Sequence, residues 1–397
     1  MTLELKKIEK LNKPYKIYAE VLESGAIDQF VNVMEHDAII QGALMPDAHQ
    51  GYSLPIGGVV KSEGLIFPAF VGYDIGCGMC AAKLPISKEL VIEHADEIFQ
   101  HIYQDIPTGF RMNNDFMESS TKLSVDDLSG RGISVVHNWE TRKKKDFRVG
   151  IGSLGGGNHF IEIGYDEDDQ VWAVIHSGSR GIGHGIAGHY MKLAGGGKAK
   201  EGNYGLRVDS EDGQDYINDM NWGLQYALDN RKEMMARVSY CVGRVLHGDA
   251  FIAYALNAGR NLTHGLINRN HNHATEQDGK WIHRKGATHA EKGMQGVIPG
   301  NMRDGSFIVT GLGNDDSMQS SSHGAGRVLG RKAAKEKLSL EEFESQMQGS
   351  TCVAAKVEAS TLDEAPMAYK NIFEVMDLQS DLVKVEHHIK PLVNIKA

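Results

Sequence analysis

The 397-residue sequence predicts a mixed α/β fold, α+β in organisation, built as a single large domain over residues 1–397 with glycine-rich active-site loops set against its strands. Three observations carry this. Apolar runs of strand length, such as VWAVI (171–175) and FIVTGLG (307–313), sit beside clusters of glycine. One segment, 215–245, repeats apolar residues at helical spacing. No internal repeat and no proline-rich linker divides the chain.

Composition sets the class. Hydrophobic residues at 41% and charged residues at 24%, with no long biased tract, describe a soluble globular protein. The N-terminal stretch MTLELKKIEKLNKPYK is charged, and no later stretch approaches about 18 uninterrupted apolar residues, so a cytoplasmic protein with no membrane segment is expected. Four cysteines are too few for a disulfide framework in so long a chain, and any special cysteine is expected to be a ligand. A formal charge of −10 argues against wholesale, non-specific nucleic-acid binding, although it leaves room for a local basic groove. Arg142 to Lys145 form one basic run; Arg327, Arg331, Lys332, Lys335 and Lys337 form another. Taken alone, each reads as a solvated face.

The 46 glycines cluster in GYSLPIGG (51–58), VGYDIGCG (71–78), GIGSLGGGNH (150–159), HSGSRGIGHG (176–185) and HGAG (323–326). Glycine beside a strand marks places where backbone must approach another group closely. Met220, Leu224, Ala227, Met234, Val238, Cys241 and Val245 predict a long, largely buried helix. Weaker helical character is read at 338–347 and 351–359, and LVKVEHHI (382–389) reads as a strand.

FIEIGYDEDDQVWAVI (160–175) reads as two alternating strands around an acidic turn, flanked by His159 and His176. The midpoint of those positions falls between 167 and 168, so an unbroken hairpin would set the two histidines opposite each other with Cβ atoms about 5 Å apart, close enough to serve a metal. Most of the 18 histidines are expected to be structural, but these two adjoin glycine-rich backbone. His271, in NHNHA, follows the helical region and fits a ligand or a surface position. His323, in SSSHGAGR, precedes small residues able to bring backbone N–H groups against a phosphate. Asp74 and Cys77 place a carboxylate and a thiolate three residues apart in one turn. The pair Cys77 and Cys80 is a poor redox motif, since glycines surround it, and a poor zinc ribbon, since Cys241 and Cys352 are far apart. Asp74 with Cys77 and histidines is a mixed ligand set that suits zinc, cobalt or manganese.

Together the motifs resemble the RtcB family of RNA ligases over nearly the whole chain. PDAHQGYSLPIGG, VGYDIGCG, GGGNHFIE, HSGSRG, DMN…NR, HN, HRKGA, IPGNM, HGAGR, DEAPMAYK and a near-terminal lysine occur in the family's order. The resemblance implies a GTP- and Mn2+-dependent ligase that joins an RNA 3′-phosphate, or 2′,3′-cyclic phosphate, to a 5′-hydroxyl in tRNA splicing or RNA repair. It implies that Asp74, Cys77, His159, His176 and His271 hold two metal ions with Cys77 shared, and that His323 becomes guanylylated. Nucleotide contacts carried over are Asn158, His159, Phe160, Ile161, Glu162, His271, Asn272, Pro299, Gly300, Asn301, Met302, Ser306, His323, Gly324, Ala325, Gly326, Tyr369 and Lys396. Glu162 would read guanine, because a carboxylate accepts from both N1–H and the exocyclic amine. Tyr369 flanks the base or sits in the core; Lys396 without the resemblance reads as a frayed basic tail. Arg180 and Arg327 would contact terminal phosphates. An accessory activating protein also fits the family.

Departures fall where many members carry cations. MRDGSFIVTG (302–311) lacks the arginines before Ser306 and before Gly311, and His289 stands where arginine is common, with Arg303 a shifted replacement for one of them. Rival readings are a dinuclear metal phosphatase or nuclease, which needs no His323, and a non-catalytic GTP-binding sensor of RNA ends.

Overall fold

The computed structural model describes residues 5–116, 120–197, 201–248 and 265–396. The strand-forming runs pair into two principal sheets. In the first, Ile39–Tyr52 and Leu54–Glu63 form a long antiparallel hairpin. Tyr15–Ile17 adds parallel to one edge, and Lys280–Lys285 followed by Asn272–Gln277 extends the other. The hairpin register breaks between Leu44 and His49, which lifts Met45, Pro46, Asp47 and Ala48 off the regular ladder before His49 rejoins it opposite Ile56.

The second sheet runs in the order Gln295–Pro299, Ser306–Gly311, Val383–Lys396, Phe160–Tyr165, Val171–Ser177, Gly78–Lys83 and Ile267–Asn270, with Ala354–Ala355 beside Val383–Lys396. Its first and last strands come into contact, so the sheet curls almost shut. Alternation then divides its residues. Met79, Phe160, Trp172, Val174, Val297, Ile308 and Ile389 fill the inside. Cys80, Ala82, Ile161, Ile163, Ala173 and Ile175 face outward on to a second core.

The expected long helix is Glu211–His247, capped by Ser210 through Gly213 N–H, acidic in its first turn and basic in its last. It joins two cores. Tyr216, Met220 and Tyr226 pack with Phe67 and Ile186, while Met234, Met235, Val238 and Val242 lie against the outer face of the curled sheet. Each such fully buried side chain contributes about 1.5–3 kcal/mol. No helix among the described residues is long and apolar enough to cross a membrane.

Three local expectations are corrected. The hairpin at 160–177 pairs Phe160 with His176 and Tyr165 with Val171, so its turn has five residues, not four, and the midpoint lies on Asp168. Asp166 closes that turn by accepting from Asp168 N–H, Gln170 N–H and the Trp172 indole. His159 therefore lies just outside the ladder. Residues 351–358 are not helical: Ala354–Ala355 is drawn into the sheet, and a short 3₁₀-helix forms only at Ala359–Glu364. His271 follows a strand, not a helix, and links Ile267–Asn270 to Asn272–Gln277. Helical character at 338–347 is met by Leu340–Met347, a separate helix Arg331–Lys337 precedes it, and the terminal strand continues past 389 to Lys396.

Candidate functional site

Asp74 and Cys77 sit in the turn that feeds Gly78–Lys83, with Cys77 N–H donating to Asp74 O at 3.1 Å. Gly76 adopts φ +76°, and a Cβ there would meet Ala227 Cβ at 2.8 Å, so the turn can lie on the long helix only as glycine. His271 is sewn to the same turn through its N–H to Cys77 O at 2.8 Å. His176 ends its strand, and the glycine-rich approach swings His159 back towards it, leaving the two rings 5.1 Å apart.

The ligand atoms converge. Cys77 Sγ lies 3.4 Å from His159 Nε2 and 3.2 Å from His176 Nε2. His176 Nε2 is 3.3 Å from His271 Nε2, and His159 Nε2 is 3.5 Å from Asp74 Oδ2. Two triads result, Asp74–Cys77–His159 and Cys77–His176–His271, and they share the sulfur. His159 Nδ1 meets Leu154 O at 2.8 Å and His176 Nδ1 meets Asn158 O at 3.2 Å. A carbonyl can only accept, so both rings keep their proton on Nδ1 and turn lone pairs inward. Burial, then neighbouring histidine charge, holds the His176 imidazole well below its ordinary protonation range. Burial, then Asp74, pushes the Cys77 thiol well up. Converging lone pairs, a carboxylate and a thiol that needs a cation to ionise fit divalent metal, with the soft sulfur suited to bridging.

A buried polar scaffold fixes these loops. Arg231, fully buried on the long helix, donates to Gly76 O (2.7 Å), Ser177 O (2.9 Å), Asn268 Oδ1 (2.7 Å) and Asn270 Oδ1 (2.6 Å). It thus ties the Cys77 turn to the strand ends carrying His176 and His271. Asn230 accepts from Gly152 and Ser153 N–H and donates to Gly178 O, holding the loop before His159.

A cavity of about 260 Å³ opens beside this cluster. His176 is in its wall. So are Asn158, Phe160, Glu162, Pro299, Gly300, Asn301, Met302, Ser306, His323, Gly324, Ala325, Gly326, Arg327, Tyr369 and Lys396 among the expected contacts. His323 stands near the metal cluster, its ring 4.9 Å from that of His271. Its Nδ1 is 2.6 Å from Asp47 Oδ2, and its N–H donates to the same oxygen at 3.2 Å. Gly326, at φ +76°, could not carry a Cβ, which would lie 2.3 Å from Asp47 O.

Glu162 is 1% exposed; Oε1 accepts from Ser306 Oγ at 2.9 Å and Oε2 from Asn394 Nδ2 at 3.1 Å. Burial raises its carboxyl to about 7, against the opposing pull of Ser306, Asn394 and Lys396. Lys396 is no frayed tail: it closes the last strand opposite Phe160, is 5% exposed and donates to Glu364 Oε2 at 2.9 Å. Burial opposes ionisation of Glu364, but Lys396, Arg331 and Arg327 hold it down at about 2. Tyr369 lines the cavity and donates to Glu364 Oε2 at 2.6 Å.

Several expected contacts stand elsewhere. Ile161 points outward into the second core, because it alternates with Phe160 and Glu162. Asn272 is engaged with Asp74 O and Gly286 N–H, and His271 and His159 belong to the ligand cluster outside the cavity wall. Arg180, at φ +57°, spends its guanidinium on Ser153 Oγ and Gly109 O, on the Asp74 side. Arg327 lines the cavity but is committed to Glu364, Tyr369 and backbone. Arg303, expected as a shifted replacement, forks on to Asp304 and Gln346 and is not in the wall of this cavity. His289 stacks on His273, with centroids 4.2 Å apart, and meets Glu291 at 2.7 Å.

Asp47, His49, Asn230, Arg231, Arg331, Glu364 and Asn394 line the cavity or brace its loops and ligand cluster, and residue-by-residue reading assigned them no part in the site. A signal existed for Asn230 and Arg231, a polar pair interrupting the apolar stripe of a buried helix. Arg331 had been grouped with a solvated basic face, whereas it lines the cavity.

Residues 29–397 match the family described as tRNA-splicing ligase RtcB. Among relatives, RNA-splicing ligase RtcB of Escherichia coli K12 is 35% identical over 97% of this chain and 98% of its own length. The tRNA-splicing ligase RtcB of Methanococcus maripaludis is 30% identical, covering 91% of this chain and 89% of its own. That of Thermococcus kodakarensis is 28% identical, covering 94% and 92%.

Proposed function

The chain belongs to the RtcB family, and from that premise we propose that it is a GTP- and Mn2+-dependent RNA ligase, one domain throughout, that works through a guanylylated His323. The observation that carries the reading is the shared cavity. A histidine oriented by a buried carboxylate and a buried glutamate with two acceptor oxygens face one space, and the wall of that space includes His176 from the metal cluster. A dinuclear phosphatase or nuclease has no use for the first two; a non-catalytic sensor has no use for the Asp47–His323 pair.

In this reading Glu162 accepts from guanine N1–H and the exocyclic amine, with Ser306 and Asn394 holding the carboxylate in place. Adenine offers no such donor pair. Phe160 and Tyr369 flank the nucleotide, and the Gly324–Gly326 backbone lies against its phosphates. In this reading the Asp47 carboxylate, 2.6 Å from His323 Nδ1 though not aligned with it as a hydrogen bond, draws the proton to Nδ1, so Nε2 presents its lone pair to the α-phosphorus. The N–P bond forms as the bond to pyrophosphate breaks. GMP then passes to the RNA 3′-phosphate, and the 5′-hydroxyl displaces it. Asp74, Cys77, His159, His176 and His271 would hold two ions, which would supply charge neutralisation and alignment at the phosphates.

The test is incubation of the full chain with Mn2+ and GTP labelled at the α-phosphate. Label should remain on denatured protein and vanish in His323→Ala. Wild-type protein that takes up no label with Mn2+, Zn2+ or Co2+ would overturn the proposal.

A further inference from the structure

We propose that His49 is the base that takes the proton of the RNA 5′-hydroxyl in the sealing step, an inference that rests on the ligase reading above. Sealing needs such a group: an alcohol is a weak nucleophile until its proton is removed as it attacks. His49 lies in the wall of the same cavity as His323. The chain leaves the ladder after Leu44 and rejoins it at His49, opposite Ile56, and both residues line the cavity.

One residue orients both imidazoles. Asp47 holds His323 through its carboxylate and His49 through its carbonyl, with His49 Nδ1 2.9 Å from Asp47 O. The carbonyl accepts only, so Nδ1 carries the proton and Nε2 keeps its lone pair. No partner is assigned to that nitrogen among the described residues. The groups facing the ring are Asp47 on its own strand, His323 from the loop after Ser320–Ser322, and Lys370 from the segment before Ile372–Asp377. Lys370 is anchored on Pro46 O and Ala48 O. Burial first lowers the imidazole's proton affinity, with the Asp47 carbonyl pulling the other way and Lys370 adding to the lowering, so the ring stands neutral.

The step balances. The 5′-oxygen bonds to the 3′-phosphorus, the bond from phosphorus to GMP breaks with its electron pair leaving on GMP, and the hydroxyl proton passes to Nε2 and on to solvent.

The experiment separates sealing from guanylylation. RNA already carrying GMP on its 3′-phosphate is mixed with 5′-hydroxyl RNA and full-length enzyme in Mn2+, under single turnover, across pH. In parallel, label from GTP on His323 is timed. His49→Ala should slow sealing by roughly 10²-fold more than guanylylation. It should lose the acidic limb of the wild-type sealing profile and regain rate with added imidazole, whereas His49→Gln, which keeps shape without basicity, should stay slow. Equal losses in both steps, a retained limb or unimpaired sealing in both variants would overturn the inference. Wild-type protein that takes no label would sink the ligase reading and this inference together, whereas labelled protein with unimpaired variants would sink this inference alone.

Discussion

Glu162 should couple guanine recognition to pH. Its ordinary value is 4.5, and burial raises it to about 7 in the folded chain. A carboxyl so raised favours the protonated fold. Its stabilising contribution is whole below pH 4.5 and is lost as pH rises through 7, costing the ionised folded state about 3 kcal/mol. Glu162→Gln removes that cost while keeping the shape. Asn394 Oδ1 is buried without a partner, so a flip of the Asn394 amide would let it accept from the new glutamine. Glu162→Gln should therefore unfold at higher temperature than wild type at pH 8, by an amount of order 3 kcal/mol, with the difference fading towards pH 4.5. In the proposed reading guanine is bound by the carboxylate, so wild-type affinity for GTP should fall about tenfold from pH 8 to pH 6 while weak ATP binding stays level. Thermal melts and calorimetric titrations at pH 5, 6, 7 and 8 measure both. Parallel melting curves for the two proteins across pH, together with pH-independent GTP affinity, would refute the argument.

Arg231→Lys keeps a charge but not the fork that joins the Cys77 turn to the strand end carrying His176; we expect a loss of about 3–5 kcal/mol in denaturant unfolding, and a change within experimental error would count against the scaffold role. Asp47→Asn should slow guanylylation of His323 by roughly 10² to 10⁴, read by the rate of label uptake, because the amide no longer stabilises the Nδ1–H imidazole. Chelation should lower the melting temperature and Mn2+ should restore it in a concentration-dependent way, by about 2.7 kcal/mol at a hundredfold excess over Kd. Cys77→Ala should abolish that response, and a full response in the variant would show that the ions bind elsewhere.

Much of this protein is legible in local sequence, because short-range chemistry repeats a short-range pattern. Apolar spacing marks the buried helix at 215–245, alternation marks the strands at 160–175, and glycine beside Asp74, His159 and His323 marks backbone under close approach. Ligand type and spacing single out Asp74 with Cys77, whereas the full set with His159, His176 and His271 came from the family resemblance. Register is less visible, since one extra turn residue moved the hairpin midpoint to Asp168 and placed Phe160, not His159, opposite His176. Long-range polar pairing is not visible at all. Asp47 meets His323 across 276 residues, Lys396 meets Glu364, and Arg231 spans three loops, because each such contact depends on two distant segments being buried together. Residue types and spacing thus determined which chemistry this chain could carry. The tertiary structure decided which donors are left free, because only packing sets which side of a ring is tied to a carbonyl and which faces the cavity.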